Sequence, residues 1–277
     1  MASTVSSLLA EVPDLADHEA RRLIQLATGL ARSAMLGDPP VPEEAVVRFS
    51  ELVSRRRRGE PLQYIEETVQ FGPVELNIDR RALIPRPETE RLWEISAALI
   101  DGLDAPSVVD LCTGSGNLAL ALKHRQPAAF VVGVDLSPHA IALAKENASA
   151  LGLDVLFVHG DLFEALPADL CRKVDLIVSN PPYIASAEIA DLPAEVRDYE
   201  PESALLAGPI GIEILARIAG GARAWLRPGG WVICEIGETQ GEACLHLFRD
   251  FDPRIEKDLA GKPRFVIGRA PQLPNVH

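Results

Sequence analysis

The stretch SVVDLCTGSGNLALALKHR, residues 107–125, decides the fold that this sequence predicts. Its first five residues are mostly apolar and indicate a buried strand, and residues 117–125 indicate a helix. Between them, Gly114 and Gly116 allow a tight turn and a close approach of the backbone to a ligand. A strand, a glycine turn and a helix in this order are typical of a parallel sheet that is covered by helices.

The same alternation continues towards the C-terminus. FVVGVDL, DVLFVHGD, VDLIVSN and GGWVICEIG predict four more strands, with helical patterns between most of them. Strands that are apolar along their whole length indicate a parallel sheet that is buried on both faces. Two last strand-like runs flank residues 260–263 and predict an antiparallel pair at one edge. We therefore expect an α/β fold with a mostly parallel, seven-stranded sheet.

The N-terminal part has a different pattern. Apolar residues at three- and four-residue spacing indicate helices, and a proline-rich stretch at 38–42 separates two of them. The segment FGPVELNIDRRALI then shows short alternating stretches. We expect a small helical bundle over residues 1–70, a hairpin-like connector over 71–85 and the α/β domain over 86–277.

Charge and composition exclude several classes of protein. The formal net charge is −13, which disfavours stable binding to nucleic acid. Arg55–Arg58 form one basic cluster, either a solvated helix end or a contact for RNA or an acidic partner. The cysteines and histidines lack metal-ligand spacing, and no apolar run approaches the roughly 20 residues of a membrane span. We expect a cytoplasmic protein without a metal or a membrane segment.

Carboxylates at the ends of predicted strands indicate a nucleoside cofactor. Asp135 follows Gly116 by 19 residues, the position of a carboxylate that binds ribose hydroxyls. This pattern also fits a dinucleotide. Asp110 lies at the turn, however, where it would repel a pyrophosphate and attract the ammonium group of S-adenosylmethionine. Asp161 can accept a hydrogen bond from the adenine amine. The candidate cofactor-binding residues are Asp110, Thr113, Gly114, Gly116, Asp135, Asp161 and Asn180.

The stretch VDLIVSNPPYIAS, residues 174–186, ends a predicted strand with an amide, two prolines and an aromatic ring. Prolines stop a strand because they lack an amide donor and fix their own φ. The segment could therefore be only a stiff turn. Alternatively, the turn holds the Asn180 amide, the Pro181 carbonyl and the Tyr183 ring at the edge of a cleft.

Four further segments carry a resemblance to a known family. They are Arg58–Ile65, LIPRPETE at 83–90, YEPESAL at 199–205 and EIGETQG at 235–241. Together with Asn-Pro-Pro-Tyr they resemble the HemK/PrmC family of class I, Rossmann-like methyltransferases. Members of this family methylate the glutamine amide of the Gly-Gly-Gln loop in peptide chain release factors. Because adenine-amine methyltransferases share Asn-Pro-Pro-Tyr, LIPRPETE is the more specific signature.

The resemblance implies an S-adenosylmethionine-dependent protein-glutamine methyltransferase with a release factor as its partner. An amide nitrogen is a poor nucleophile and has to be held in line with the methyl donor. The Asn180 oxygen and the Pro181 carbonyl can each accept one N–H of the substrate amide, while Tyr183 covers its face. We therefore assign catalytic roles to these three residues. Further substrate-binding candidates are Pro182, Pro85, Arg86 and Glu88, and the helical N-terminal part is the expected element for partner recognition.

The sequence also departs from the family pattern and leaves alternatives open. Cys112 stands where the family has a glycine, and we expect it to pack rather than react. Relatives commonly carry a glycine within the segment that reads Glu66-Glu67-Thr68 here. The alternative substrates are a glutamine of a ribosomal protein and the exocyclic amine of adenine in nucleic acid. A third alternative is a module that binds a cofactor without catalysis.

Overall fold

The structure is a computed structural model that describes residues 3–272. Contacts divide the chain into two compact units. The first contains the chain up to Thr68 together with Ala194–Tyr199, and the second contains Val69–Pro193 and the chain from Glu200 onward. The boundary therefore lies between Thr68 and Val69, so the whole expected connector over 71–85 belongs to the second unit, together with residues 69–70 of the expected helical bundle. No local pattern in the sequence indicates that Ala194–Tyr199 packs with the helices.

The first unit is helical, as the sequence predicts. Its N-terminal helices are α1 (Val5–Ala10), α2 (Asp17–Thr28), α3 (Arg32–Met35), α4 (Glu43–Arg57) and α5 (Leu62–Glu66). Their buried faces share a core that includes Leu23, Ile24 and Phe49. Pro42 precedes α4, and two glutamates in its first turn favour the positive end of the helix dipole.

The basic cluster at the end of α4 is ion-paired inside this unit. The pairs are Arg55 with Glu60 at 2.8 Å, Arg56 with Glu19 at 2.8 Å and Arg57 with Asp14 at 2.6 Å. Arg55–Arg57 lie in the last turn, where their charges also complement the helix dipole. This position agrees with the helix-end interpretation, and the Arg57 side chain is 47% exposed. The alternative of a contact for RNA or an acidic partner stays a prediction.

The short helix α9 (Ala194–Arg197) belongs to the same unit. Arg56, which pairs with Glu19, also donates a hydrogen bond to Glu195 at 3.0 Å. The Tyr199 hydroxyl donates to the Arg58 carbonyl at 2.8 Å. The helical unit is therefore built from two separate stretches of the chain.

A two-stranded sheet of β1 (Thr68–Phe71) and β2 (Val74–Asn77) follows the first helices and overlaps only the first part of the expected hairpin-like connector over 71–85. Glu67, just before it, has a φ of 62° and lies in the left-handed region. Glycine adopts this region without a steric cost, so a glycine would fit this position with less backbone strain than Glu67. The helix α6 (Pro87–Leu99) then begins with Pro87 in its first turn, as predicted.

The second unit is built on a mixed sheet, and the predicted fold class is confirmed. Its strands are β3 (Ser107–Leu111), β4 (Phe130–Asp135), β5 (Leu156–His159), β6 (Val174–Ser179), β9 (Leu226–Glu235), β10 (Arg254–Lys257) and β11 (Pro263–Arg269). Within the described residues they form a seven-stranded sheet of order β10-β11-β9-β6-β3-β4-β5. β11 runs in the direction opposite to the other six strands, and with β10 it makes the predicted antiparallel pair at the edge of the sheet.

Helices cover both faces of this sheet. They are α7 (Asn117–Arg125), α8 (Pro138–Leu151), α10 (Glu213–Trp225) and α11 (Gly241–Leu247). Two apolar cores result, one containing Leu118 and Ile141 and the other containing Leu215 and Phe248. The sequence did not predict α11 or the small two-stranded sheet of β7 (Ile184–Ala185) and β8 (Leu206–Gly208).

The strand order places the site. From β3 the chain proceeds to β4 and β5 on one side and then returns to β6 on the other side. The direction of winding therefore reverses between β3 and β6, the point where open α/β sheets bind their ligands. The glycine turn follows β3, and Asn-Pro-Pro-Tyr follows β6. No helix within residues 3–272 is long and apolar enough to cross a bilayer.

Candidate active site

The turn after β3 has the backbone geometry that its glycines predict. Gly114 and Gly116 have φ values of 56° and 83°, and Cys112 has a φ of 59°. A Cβ on Gly116 would lie 2.9 Å from the Phe157 ring, whereas a Cβ on Gly114 would meet no atom within 4 Å. Gly116 therefore permits close packing inside the fold, and Gly114 keeps the surface of the turn open.

Asp110 supports this turn from below. The residue is fully buried, and one carboxylate oxygen accepts bonds from Thr113 Oγ1 at 2.6 Å and from the Ala119 N–H at 3.2 Å. The other oxygen is buried without a partner. Burial raises the pKa of Asp110 to about 7. Asp110 does not line the cleft, so its predicted bond to a cofactor ammonium group stays a prediction.

Asp135 connects the ends of β3 and β4. One of its oxygens accepts from the Gly114 N–H at 2.9 Å, and the other accepts from the Ser137 N–H at 2.8 Å. Burial raises the pKa of this carboxyl, and the two backbone N–H groups oppose the shift. Since each carboxylate oxygen has two lone pairs, Asp135 can hold the loop and still accept from ribose hydroxyls.

Asp161 has a partner that the sequence did not reveal. Its carboxylate forms an ion pair with Arg217 of α10 at 2.8 Å, and both side chains line the cleft. The predicted bond from Asp161 to an adenine amine would therefore form beside a guanidinium group. Arg217 was not found from the sequence because it lies on a helix with no motif of its own.

A cleft with a volume of about 510 Å³, well within the range of small-molecule sites, lies at these strand ends. The predicted residues that line it are Thr113, Gly114, Asp135, Asp161, Asn180, Pro182 and Pro85. The predicted residues that do not line it are Asp110, Gly116, Pro181, Tyr183, Arg86 and Glu88. Cys112 also lines the cleft, and burial raises the pKa of its thiol, which agrees with packing rather than nucleophilic chemistry.

The cleft fits S-adenosylmethionine. The open side of Gly114 leaves room for a ligand against the backbone, and Asp135 can bind the ribose. When bound there, S-adenosylmethionine supplies an electrophilic methyl group on a sulfonium. The unpartnered oxygen of Asp110 lies beneath the same turn.

Asn-Pro-Pro-Tyr leaves the sheet at the neighbouring strand end. Ser179 donates a hydrogen bond to the Leu111 carbonyl at 2.6 Å, which joins the ends of β6 and β3. The Nδ2 atom of the half-buried Asn180 donates to Thr89 Oγ1 at 3.2 Å. Behind the loop, Gln240 donates to the Tyr183 carbonyl at 2.9 Å. The turn is therefore fixed at both ends, and the Asn180 oxygen is not used in this contact.

A buried pair lies behind Asn180. Thr89 is fully buried at the start of α6, and its hydroxyl donates to Glu235 Oε2 at 2.8 Å. Glu235 ends β9, and burial raises its pKa to about 7. Sequence reasoning did not assign a role to either residue. The available signal was their position inside LIPRPETE and EIGETQG, two segments that resemble the same family.

The remaining residues of LIPRPETE have different surroundings. Arg86 binds Glu200 of the YEPESAL segment at 2.5 Å, and the Glu200 side chain is buried and also accepts from the Ile84 N–H at 3.3 Å. The Arg86 guanidinium therefore joins two of the quoted segments inside the protein. Direct substrate binding by Arg86 and Glu88 stays a prediction.

A parallel sheet, a glycine turn backed by carboxylates and an adjoining Asn-Pro-Pro-Tyr loop define a class I, S-adenosylmethionine-dependent methyltransferase. Residues 90–195 match the methyltransferase small domain, and residues 3–66 match the PrmC N-terminal domain. The chain belongs to the family of release factor glutamine methyltransferases. The member from Xylella fastidiosa (strain 9a5c) is 38% identical over 98% of this chain and 99% of its own length. The member from Deinococcus radiodurans is 39% identical over 91% of this chain and 90% of its own.

Solved structures agree with the fold. The hMettl16 catalytic domain, solved in complex with an RNA hairpin, superposes with a TM-score of 0.55 at 16% identity, covering 82% of this chain and 94% of its own. A T. thermophilus 16S rRNA N2 G1207 methyltransferase in complex with AdoMet and guanosine gives 0.53 at 20% identity, covering 73% of this chain and 49% of its own. At these identities the likeness extends to the fold alone.

Proposed function

We propose that this chain methylates the side-chain amide nitrogen of the glutamine in the Gly-Gly-Gln loop of a peptide chain release factor, with S-adenosylmethionine as the methyl donor. The names of its relatives and the Asn-Pro-Pro-Tyr loop beside the cleft support this assignment. Its four cysteines are all free, which supports a cytoplasmic location.

The residues of the loop perform the positioning that an amide substrate requires. The Asn180 oxygen and the Pro181 carbonyl accept the two N–H groups of the substrate amide, which orients its nitrogen and favours positive charge that develops on it. Tyr183 is half-buried and packs against the planar amide, and burial raises the pKa of its hydroxyl to about 12.

One observation carries the proposal. Asn180 lines the cofactor cleft, and its Nδ2 atom is bound to Thr89 inside the protein. The side-chain oxygen is consequently the atom that remains for a substrate. An acceptor at this place recognises an NH₂ group, which glutamine and adenine share. The family of the chain favours glutamine.

The helical unit is our proposal for the element that recognises the release factor. Residues 3–66 of this unit match the PrmC N-terminal domain. The chain also passes from the Asn-Pro-Pro-Tyr loop into Ala194–Tyr199, which packs with those helices. The same polypeptide segment thus connects the substrate loop to the helical unit.

Mass spectrometry tests the proposed function. The purified protein is incubated with S-adenosylmethionine and an unmodified release factor, and the Gly-Gly-Gln peptide is analysed, with Asn180→Ala as the control. We expect one added methyl group on that glutamine, absent in the control. No methylation by a protein that binds the cofactor would overturn the substrate assignment and direct the search to ribosomal proteins and adenine.

A further inference from the structure

We propose that Thr89 and Glu235 are positioning residues that determine which side of the Asn180 amide faces the substrate. This inference rests on the proposed function, because it concerns how the same amide site selects an NH₂ group. It adds two residues to that site, one from α6 and one from the end of β9.

The directions of two hydrogen bonds determine how the Asn180 amide is oriented. An ionised carboxylate can only accept, so the Thr89 hydroxyl donates its single proton to Glu235 across 2.8 Å. The Thr89 oxygen is then left as an acceptor, and Asn180 can approach it at 3.2 Å only with its NH₂ group. The Asn180 oxygen consequently faces away from Thr89 and is available to the substrate.

Burial holds the three side chains in this arrangement while Glu235 is ionised. Thr89 has no exposed surface and Glu235 is 2% exposed, so bulk water cannot replace either partner. Leaving a buried polar group unpaired is unfavourable, which favours the arrangement that satisfies all three side chains. The network therefore specifies an orientation that the Asn180 side chain alone, with its two-fold terminal torsion, does not.

A reversed Asn180 amide would present its NH₂ group to the substrate NH₂ group. Two hydrogen-bond donors cannot bind each other, so the substrate nitrogen would lose the Asn180 oxygen, one of its two fixed acceptors. Orientation of the reacting groups is worth large factors in rate, and a misplacement of about 1 Å can lower it roughly 100-fold. The proposed role therefore acts on the chemical step and leaves the cofactor cleft unchanged.

Protonation of Glu235 would remove the constraint, because a carboxylic acid can donate to Thr89. The groups that face this carboxyl are Thr89 and Glu88 from α6, Tyr183 from the substrate loop and Arg264 from β11. Burial is the largest influence and raises the pKa of Glu235 to about 7. The hydrogen bond from Thr89 and the charge of Arg264 oppose that rise, while Glu88 adds to it. Glu235 thus changes its ionisation near neutral pH.

The test measures the rate of a single turnover on the release factor with cofactor prebound, from pH 6 to pH 9. For the wild type we expect the rate to rise with the ionised fraction of Glu235, with an inflection near pH 7. Glu235→Gln has an amide that can donate to or accept from Thr89, so we expect the rate to fall roughly 10-fold to 100-fold and the inflection to disappear.

Variants of α6 separate positioning from packing. Thr89→Val keeps the shape of the side chain and removes the hydroxyl, so we expect a similar loss, and Thr89→Ser should recover most of it. Ser96→Ala is the matched control, since Ser96 is also fully buried on α6 but its hydroxyl has no partner. We expect this control to keep the wild-type rate and pH profile.

Cofactor affinity and thermal melting establish that each variant is folded and binds its methyl donor. The inference is overturned if Glu235→Gln is folded and binds its methyl donor but keeps the rate and inflection of the wild type. It is also overturned if Thr89→Val and Ser96→Ala are equally impaired. A wild-type protein that does not methylate any release factor would instead overturn the proposed function, and the two failures are therefore distinguishable.

Discussion

Asn180 and Thr89 are 91 positions apart in the chain, and a hydrogen bond of 3.2 Å joins their side chains. The contact connects the Asn-Pro-Pro-Tyr loop to the LIPRPETE segment. The loop that holds the proposed substrate acceptor is thus bound to a residue of α6.

Asn180→Ala should lower kcat by roughly 100-fold or more, as the loss of a transition-state acceptor does in other enzymes. Because Asp135 and the glycine turn are unchanged, we expect the dissociation constant of S-adenosylmethionine to change little. Steady-state kinetics together with calorimetric titration check both statements. Equal turnover by the variant and the wild type would exclude the proposed role of the Asn180 oxygen.

Asp135→Ala should act on the cofactor instead. The change removes a ribose acceptor and also releases the N–H groups of Gly114 and Ser137. We expect cofactor affinity to fall by roughly 10-fold to 100-fold, about 1.4 kcal/mol per factor of ten. Asp135→Asn keeps one acceptor oxygen, so its cofactor affinity should lie between those of the wild type and Asp135→Ala. A titration that shows unchanged cofactor affinity in Asp135→Ala would contradict the assignment.

The two glycines of the turn should respond differently to alanine. At Gly116 the positive φ combines with a contact of 2.9 Å to the Phe157 ring, so Gly116→Ala should lower the stability of the second unit. At Gly114 a Cβ meets no protein atom, so only the backbone cost of about 1–2 kcal/mol applies and the methyl group reduces the space for a cofactor.

Urea unfolding and cofactor titration of both glycine variants make the comparison. Gly114→Ala should lose proportionally more cofactor affinity than free energy of unfolding. Gly116→Ala should lose proportionally more free energy of unfolding than cofactor affinity. Identical ratios in the two variants would contradict this division of roles.

The buried Asp110 predicts a pH dependence of stability. Its pKa is about 7 in the folded protein and near 3.8 otherwise, so the folded state binds more protons between these values. Stability therefore decreases as the pH rises through this window, by at most about 1.4 kcal/mol per pH unit for this group. Glu235, whose pKa is also about 7, acts in the same direction.

Urea unfolding of the cofactor-free protein at pH 5, 6, 7 and 8 measures this slope. All three tryptophans, Trp93, Trp225 and Trp231, belong to the second unit, so their fluorescence reports that unit alone. Asp110→Asn keeps an acceptor for Thr113 and should give a flatter dependence than the wild type. Parallel curves for the two proteins would show that Asp110 does not titrate in the window.

The sequence predicted the sheet well because its strands are continuous apolar runs and its turns carry glycine. The helix at 117–125 has the predicted bounds, and the final antiparallel pair lies at the predicted edge. The pairing of Ala194–Tyr199 with the N-terminal helices was not predictable, because no local pattern encodes contact between segments so distant in the chain.

Contacts between distant segments also explain why some residues of the site could not be predicted from the sequence. Asp135 and Asn180 follow strands directly, so the parallel sheet places them at one edge. Thr89, Glu235 and Arg217 take part through pairings with distant residues, and their roles follow from burial and bond direction. Threonine on a helix and glutamate at a strand end are common, so neither residue type alone indicates a site.

A substitution in the core of the helical unit tests its proposed role in recognition. Phe49 is 2% exposed on α4, and removing a buried phenylalanine side chain typically costs about 3–5 kcal/mol. We expect Phe49→Ala to disrupt the helical unit while tryptophan fluorescence and cofactor affinity of the second unit persist. Val47→Ala, on the same helix at 56% exposure, is the control and should behave as the wild type.

A comparison of two substrates, an intact release factor and a short peptide, distinguishes a role in recognition from a role in supporting catalysis. With an intact release factor, Phe49→Ala should raise KM at least about 10-fold, the equivalent of about 1.4 kcal/mol of lost recognition. With a short Gly-Gly-Gln peptide, which is too small to engage a separate recognition unit, kcat/KM should match that of the wild type. An equal loss on both substrates would show that the helices support the catalytic unit itself, and an unchanged KM on the intact protein would exclude them from recognition.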